Sequence, residues 1–243
     1  MKYVVILICV LLVLFVLSRY YGSGRIVSTH VINMKSSTER YNKFMERAKG
    51  SGLEVTRWDA VNGKTMTREE SKKNYISDEI YEKHKSKKRM GVIGCYLSHA
   101  LLLQHLETMP CSPNDIHCVF EDDIVLTDGV GGKIKDLIAQ LPPDWDFVQL
   151  YTLWPRTKQC KGALCKPLPN RPGDEGNMST AAYVVRHGAL SKINNHIRVM
   201  RVPIDNQLAE KAHVWNWYVV QPDLLKVDET VKTTLNDAPP QHS

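Results

Sequence analysis

The sequence predicts one α/β domain that opens as a doubly wound sheet and is preceded by an apolar anchor. Three patterns carry that reading. From Ile26 onward, strand-like and helix-like segments alternate, starting strand, helix, strand. A run of strand composition, Cys118 to Val125, holds three consecutive acids, Glu121-Asp122-Asp123. Tyr3 to Leu17 is almost wholly apolar, with Lys2 before it.

Bulk properties bound the rest. A chain of 243 residues, less its anchor, supplies one ordinary domain with a sizeable core. It is 43% hydrophobic and 24% charged, without low-complexity blocks, which is a globular composition. The net charge of +6 suits anionic substrates or a membrane surface. It is not gathered into the basic stripe of a nucleic-acid binder, so nucleic acid is not an expected partner. None of the six cysteines has Cys-x-x-Cys spacing, so a zinc ribbon is excluded. Cys160 and Cys165 flank a short loop and either pair in an oxidising compartment or remain idle thiols.

The amino-terminal segment, residues 1–21, approaches the roughly 20 residues that span a bilayer, with Tyr20 and Tyr21 placed as interfacial aromatics. It reads as an uncleaved single-pass anchor of open orientation. The rival is a signal peptide, whose small-residue cleavage site is unclear. Ile26 to Met34 is a buried strand. Ser36 or Ser37 caps a helix to about Lys49, Gly50-Ser51-Gly52 ends it, and Val55 to Trp58 is the next strand. Thr67 to Arg89 is strongly charged, a solvated face or a mobile basic flap that meets phosphate or an anionic acceptor. Gly91 to Leu106 is a deeply buried helix in which Ser98 and His99 are the polar exceptions, His99 being either a structural histidine or a ligand.

A helix from Gly132 to Leu141 follows the acids, then a strand from Asp146 to Leu150. Trp154 to Gly176 shows no periodicity and reads as a long loop, a lid, an acceptor loop or simply mobile. Asn177-Met178-Ser179 has the glycosylation sequon form, or arises by chance. Thr180 to Arg186 is a strand leading into a helix to about Arg198; Pro203-Ile204-Asp205 opens another. Val214 to Val220 has strand character, with Trp215 and Trp217 on one side, suited to core filling or to stacking on a ring. Residues 236–243 form a polar tail.

The acids are the chemical focus. A half-buried carboxylate is costly unless a pairing charge, a metal or a hydrogen-bond net compensates it. Strand alternation places Glu121 and Asp123 on one side and Asp122 on the other. Ligands of open α/β sheets bind beyond the carboxyl ends of the strands, and carboxylate oxygens suit Mn²⁺ or Mg²⁺, which bind diphosphates. The competing interpretation is that the acids cap the turn before Asp128-Gly129.

Seven blocks, in order, resemble glycosyltransferase family 25, the lipooligosaccharide and collagen hydroxylysine galactosyltransferases. They are Val31-Ile32-Asn33-Met34 with Ser37-Thr38-Glu39-Arg40; Trp58-Asp59-Ala60-Val61-Asn62-Gly63; Gly91-Val92-Ile93-Gly94-Cys95-Tyr96-Leu97-Ser98-His99; Phe120-Glu121-Asp122-Asp123; Asp144-Trp145-Asp146; Thr180-Ala181-Ala182-Tyr183-Val184-Val185; and Pro203-Ile204-Asp205. The resemblance implies a GT-A-like nucleotide-sugar transferase fold with a Rossmann-like donor half over residues 22–235. It further implies a UDP-sugar donor, a divalent metal (Mn²⁺ or Mg²⁺) and inversion at the anomeric carbon. On that basis Glu121 and Asp123 hold the metal, and Asp122 contacts the metal or the donor ribose. Asn33, Arg40, Asp59, Asn62 and Gly63 meet the nucleotide, while Ser98 and His99 shape the floor of the donor pocket. A galactose or glucose then passes to a hydroxyl of a glycan or protein acceptor. Asp205 is the expected general base, against the alternative of an acid favoured at a helix start by the dipole. Two other functions fit the bare acids: a metal-dependent phosphohydrolase, and a membrane-tethered sugar or nucleotide binder without turnover.

Overall fold

The computed structural model describes residues 24–168 and 176–231. The expected anchor and tail lie outside the described residues. Among the described residues, no helix is long and apolar enough to cross a membrane.

The chain builds a three-layer α/β molecule around an eight-stranded mixed sheet. Strand β1 (Ile26–Asn33), helix α1 (Thr38–Ala48) and β2 (Thr56–Asp59) form the expected parallel unit, with β1 and β2 paired from His30–Thr56 to Asn33–Asp59. The 3₁₀ turn Gly63–Thr65 follows, then α2 (Arg68–Lys73), α3 (Asp78–Ser86) and the long α4 (Met90–Glu107). Next come β3 (Ile116–Glu121), β4 (Ile124–Val125), α5 (Val130–Ile138), β5 (Phe147–Gln149), β6 (Thr157–Lys161) and β7 (Leu164–Pro167). The chain then forms β8 (Ala182–Arg186), α6 (Leu190–His196), α7 (Ile204–Ala209), β9 (Trp217–Val220) and β10 (Lys226–Val227). Sheet order is β2-β1-β3-β8-β5-β9-β7-β6, while β4 and β10 form a separate small ribbon.

Period-2 patterning sends alternate strand residues into two apolar layers. Val119, Phe147, Tyr183 and Trp217 face one layer with α4, α6 and α7. Val31, Phe120, Val148 and Val184 face the other, with Phe44 of α1 and Ile134 of α5. Helix α4 is apolar nearly all round, as a helix buried in the interior must be.

Several expectations change. The sheet is not doubly wound throughout, because β8 enters antiparallel to both β3 and β5. The charged stretch Thr67 to Arg89 folds. Thr67 and Glu70 close a capping box on α2, Ser77 caps α3, and Tyr81 and His84 are buried. The lysines, Arg68, Arg89 and the glutamates stay on the solvated face of folded helices, so a mobile flap is not what forms there. The first part of the expected loop from Trp154 is a hairpin, β6–β7, closed by a Cys160–Cys165 disulfide. Its outer strand is an edge strand with exposed residues on both faces, so no alternation marked it. Strand β9 starts only at Trp217, because α7 runs into turns through Asn216. Trp217 is core, its Nε1 donating to Gln149 at 3.1 Å, whereas Trp215 packs edge-on against His196. The sequon asparagine, Asn177, is fully buried and accepts from the Arg156 N–H at 2.8 Å, so it is not presented for glycosylation.

Candidate functional site

Registers fix where the site lies. Asn33 pairs with Asp59, and Ile32 pairs with Glu121, so β1, β2 and β3 end side by side. A cleft of about 340 Å³ opens at these carboxyl ends, lined by Arg40, Asn62, Gly63, Ser98, His99, Glu121, Asp122 and Asp123 among others. Eight of the expected site residues therefore meet in one cleft.

Alternation ends where β3 ends. Glu121 is its last residue, Asp122 and Asp123 form a turn, and all three acids face the cleft. The expectation of opposite sides for Asp122 assumed a strand that continues through the acids, and it does not. The Glu121 N–H bonds Ala181 carbonyl at 2.7 Å, and the Asp228 N–H bonds Asp123 carbonyl at 2.7 Å. The acid turn is thereby pinned from both flanks.

Each carboxylate has its own surroundings. Asp122 is buried, ion-paired to Arg40, and accepts from Asn33 Nδ2 at 2.5 Å. Burial pushes its carboxyl above the ordinary range, and Arg40 and Asn33 act against that push. Glu121 Oε1 takes Thr180 Oγ1 at 3.1 Å and His99 Nε2 at 3.3 Å. A carboxylate only accepts, so His99 donates from Nε2 and its Nδ1 accepts the Tyr183 hydroxyl at 3.1 Å. Burial raises Glu121, but the hydrogen bonds from His99 and Thr180 and the charge of Arg40 leave it below the usual carboxylate range. Asp123 has no such support. Burial, then the charge of Glu121, pushes it up to about 7 despite Arg40. Its Oδ1 is buried without a hydrogen-bond partner among the described residues.

That set fits a hard divalent cation. It offers oxygen donors, mutual repulsion that a cation relieves, and one orphaned carboxylate oxygen. Glu121 and Asp123 are the residues that would hold it; Asp122 is already committed to Arg40 and Asn33.

The opposite wall is built by close backbone approach. A Cβ on Gly63 would fall 2.0 Å from the Met90 carbonyl oxygen, and one on Gly94 would fall 2.6 Å from the Val61 carbonyl oxygen. Only glycine at both positions lets the 60–65 segment lie against the first turns of α4. Ser98 locks that contact, accepting the Val61 N–H at 2.8 Å and donating to Gly94 carbonyl at 2.6 Å. The spacing Gly94-Cys95-Tyr96-Leu97-Ser98 thus places a backbone gap and its latch one helical turn apart.

Three expected residues lie apart from the lining: Asn33, which is buried and bonded to Asp122, Asp59 and Asp205. Asp59 is half exposed and pairs with Arg57 at 3.3 Å and Lys35 at 3.7 Å. Asp205 occupies the first turn of α7, where its Oδ1 accepts the Asn206 N–H at 2.9 Å. Burial raises its carboxyl, and Glu121 adds to the rise, which places the two acids within electrostatic reach.

Thr180, Tyr183 and Cys95 belong to the site but were not singled out. Thr180, two residues before β8, and Tyr183, within it, sit about 60 residues from the acids in a segment that reads as core strand. Cys95 lies on the cleft wall near His99 and Glu121; burial holds its thiol well above the ordinary range, with Glu121 and Asp205 adding to it. Lys64, beside Gly63, also lines the cleft.

A search of curated proteins finds no match. The family model for glycosyltransferase family 25, described as an LPS biosynthesis protein family, matches residues 26–208, from the first residue of β1 into α7 and across every residue of the cleft. The chain belongs to glycosyltransferase family 25 and is a glycosyltransferase.

Proposed function

We propose that the protein is a metal-dependent, inverting hexosyltransferase of GT-A type. It would move galactose or glucose from a UDP-sugar to a hydroxyl of a glycan or protein acceptor, and residues 1–21 would tether it to a membrane as a single-pass anchor. The observation that carries the reading is Asp123, a half-buried carboxylate beside Glu121 whose buried Oδ1 has no hydrogen-bond partner among the described residues. A bound Mn²⁺ or Mg²⁺ supplies positive charge to the donor diphosphate and to the leaving UDP. Arg40 occupies Asp122, and His99 with Thr180 fixes the Glu121 carboxylate, so the Glu121 ligand is preorganised. The first turn of α4, through Gly91, and the adjacent Lys64 give the cleft a cationic wall suited to phosphate. Asn62 and Gly63 occupy the rim where a nucleoside would lie.

Asp205 is the proposed base toward the acceptor hydroxyl. Its raised carboxyl has the basicity such a role uses, and a base of this kind contributes about 10²–10⁴ in rate. The test is UDP release from a panel of UDP-sugars with Mn²⁺, using free galactose, hydroxylysine and short glycans as acceptors. Acceptor-dependent UDP release that chelation abolishes supports the proposal. Phosphate release from simple esters would favour a hydrolase, and sugar-nucleotide binding without UDP release would favour a binding module.

A further inference from the structure

We propose a second metal site, for a zinc-class divalent ion, at the opposite end of β3 from the acids. Cys111, His117 and His187 each present one ligand atom there, and the three atoms lie within 4.8 Å of one another. They arrive from three separate segments: the turn before β3, the second residue of β3, and the residue that follows β8. His117 and Glu121 are four positions apart on β3, so the two sites are separated by about 13 Å at strand rise.

The chemistry differs from that of the acid cleft. Two imidazoles and a thiol are borderline-soft donors, suited to Zn²⁺ rather than Mn²⁺ or Mg²⁺. His117 Nε2 lies 3.1 Å from His187 Nδ1. Tetrahedral zinc with bonds of about 2.0–2.1 Å needs its nitrogens about 3.3 Å apart, so the pair is nearly at coordinating distance. The Cys111 sulfur carries no disulfide and lies within 4.8 Å of both nitrogens.

The outer ring nitrogen of His117 has the second contact that a zinc-bound histidine uses. Ser28 Oγ lies 2.7 Å from His117 Nδ1, so that nitrogen can carry its proton to the hydroxyl and leave Nε2 for the ion. His117 is fully buried, while Cys111 and His187 are partly exposed, so the ion has a route in and a fourth position open to water. Binding releases the Cys111 thiol proton to solvent, and the N–H shared by the two imidazoles moves to an outer ring nitrogen. The ion would join the 111–115 turn, β3 and the end of β8, ordering the base of the sheet.

The test is titration of the metal-free full chain with Co²⁺, followed by displacement with Zn²⁺. One equivalent should give tetrahedral cobalt absorption with a thiolate charge-transfer band. That band should vanish in Cys111→Ser, weaken in His187→Gln, and persist in Cys95→Ser and in Asp123→Asn. Zn²⁺ should raise the melting temperature of the wild type but not that of Cys111→Ser. Absence of a thiolate band, or a band that survives Cys111→Ser and is lost in Cys95→Ser, overturns the proposal. If Cys111→Ser fails to fold, His187→Gln alone decides: Co²⁺ absorption identical to wild type overturns it.

Discussion

Asp122 and Asp123 are neighbours with opposite electrostatic circumstances. Asp122 has Arg40 and Asn33; Asp123 has burial and Glu121 against it. Its carboxyl lies at about 7 in the folded chain against an ordinary 3.8. Ionising it therefore destabilises the fold, with a penalty absent below pH 3.8 that grows up to about pH 7. In metal-free buffer above that range, Asp123→Asn is expected to melt higher than wild type, the difference closing as pH falls to 3.8. The same variant should lose sugar transfer by roughly 10²-fold or more, since it removes a metal ligand. Arg40→Met should behave in the other sense. It strands a buried carboxylate and should cost about 3–5 kcal/mol in denaturant unfolding, with Arg40→Met/Asp122→Leu recovering most of the loss. The acids were legible in the sequence because three in a row inside an apolar run are unusual. Their partners were not, because Arg40 and Thr180 come from elements about 80 and 60 residues away, and pairing across a sheet leaves no local trace.

At the scale of elements, α4 and the segment against it form the working unit. The helix was legible from its apolar content, and the use of its glycines was not, because a glycine in a helix gives no sign of what approaches it. Gly94→Ala places a methyl carbon 2.6 Å from the Val61 carbonyl oxygen and 2.7 Å from the Gly63 nitrogen. It should push the 60–65 segment off the helix, lower stability by about 1–3 kcal/mol, and raise the donor KM more than it lowers kcat. An unchanged donor KM would mean that this wall does not meet the donor. The hairpin at 157–167 shows the opposite limit. Its register is fixed by Cys160–Cys165 and by pairing of β7 with β9, not by an alternating pattern, so its sequence resembled a loop.

For the whole molecule, the layers meet along the sheet face that carries His30, Val119 and Trp217, with α4 above it. The α/β class and the leading βαβ unit were legible from alternation. The antiparallel insertion of β8 was not, since strand direction depends on which gap in the sheet a later segment fills. His30 sits buried between these layers with neither ring nitrogen partnered among the described residues. Burial, with His105 nearby, lowers it from 6.5 to about 4. A histidine favoured as neutral contributes its full stability above pH 6.5 and loses it as pH falls toward about 4. Urea midpoints should therefore decline across that window in wild type and decline less in His30→Gln; parallel curves would remove His30 as the cause.

The account rests on carboxylates at the end of β3 holding a cation that holds a sugar nucleotide. Calorimetric titration of UDP into the full chain, with and without Mn²⁺, in wild type and Asp123→Asn, measures that directly. Tight UDP binding that requires Mn²⁺ and is lost in Asp123→Asn is the predicted result. UDP binding of equal strength without Mn²⁺, or undiminished in the variant, would contradict it.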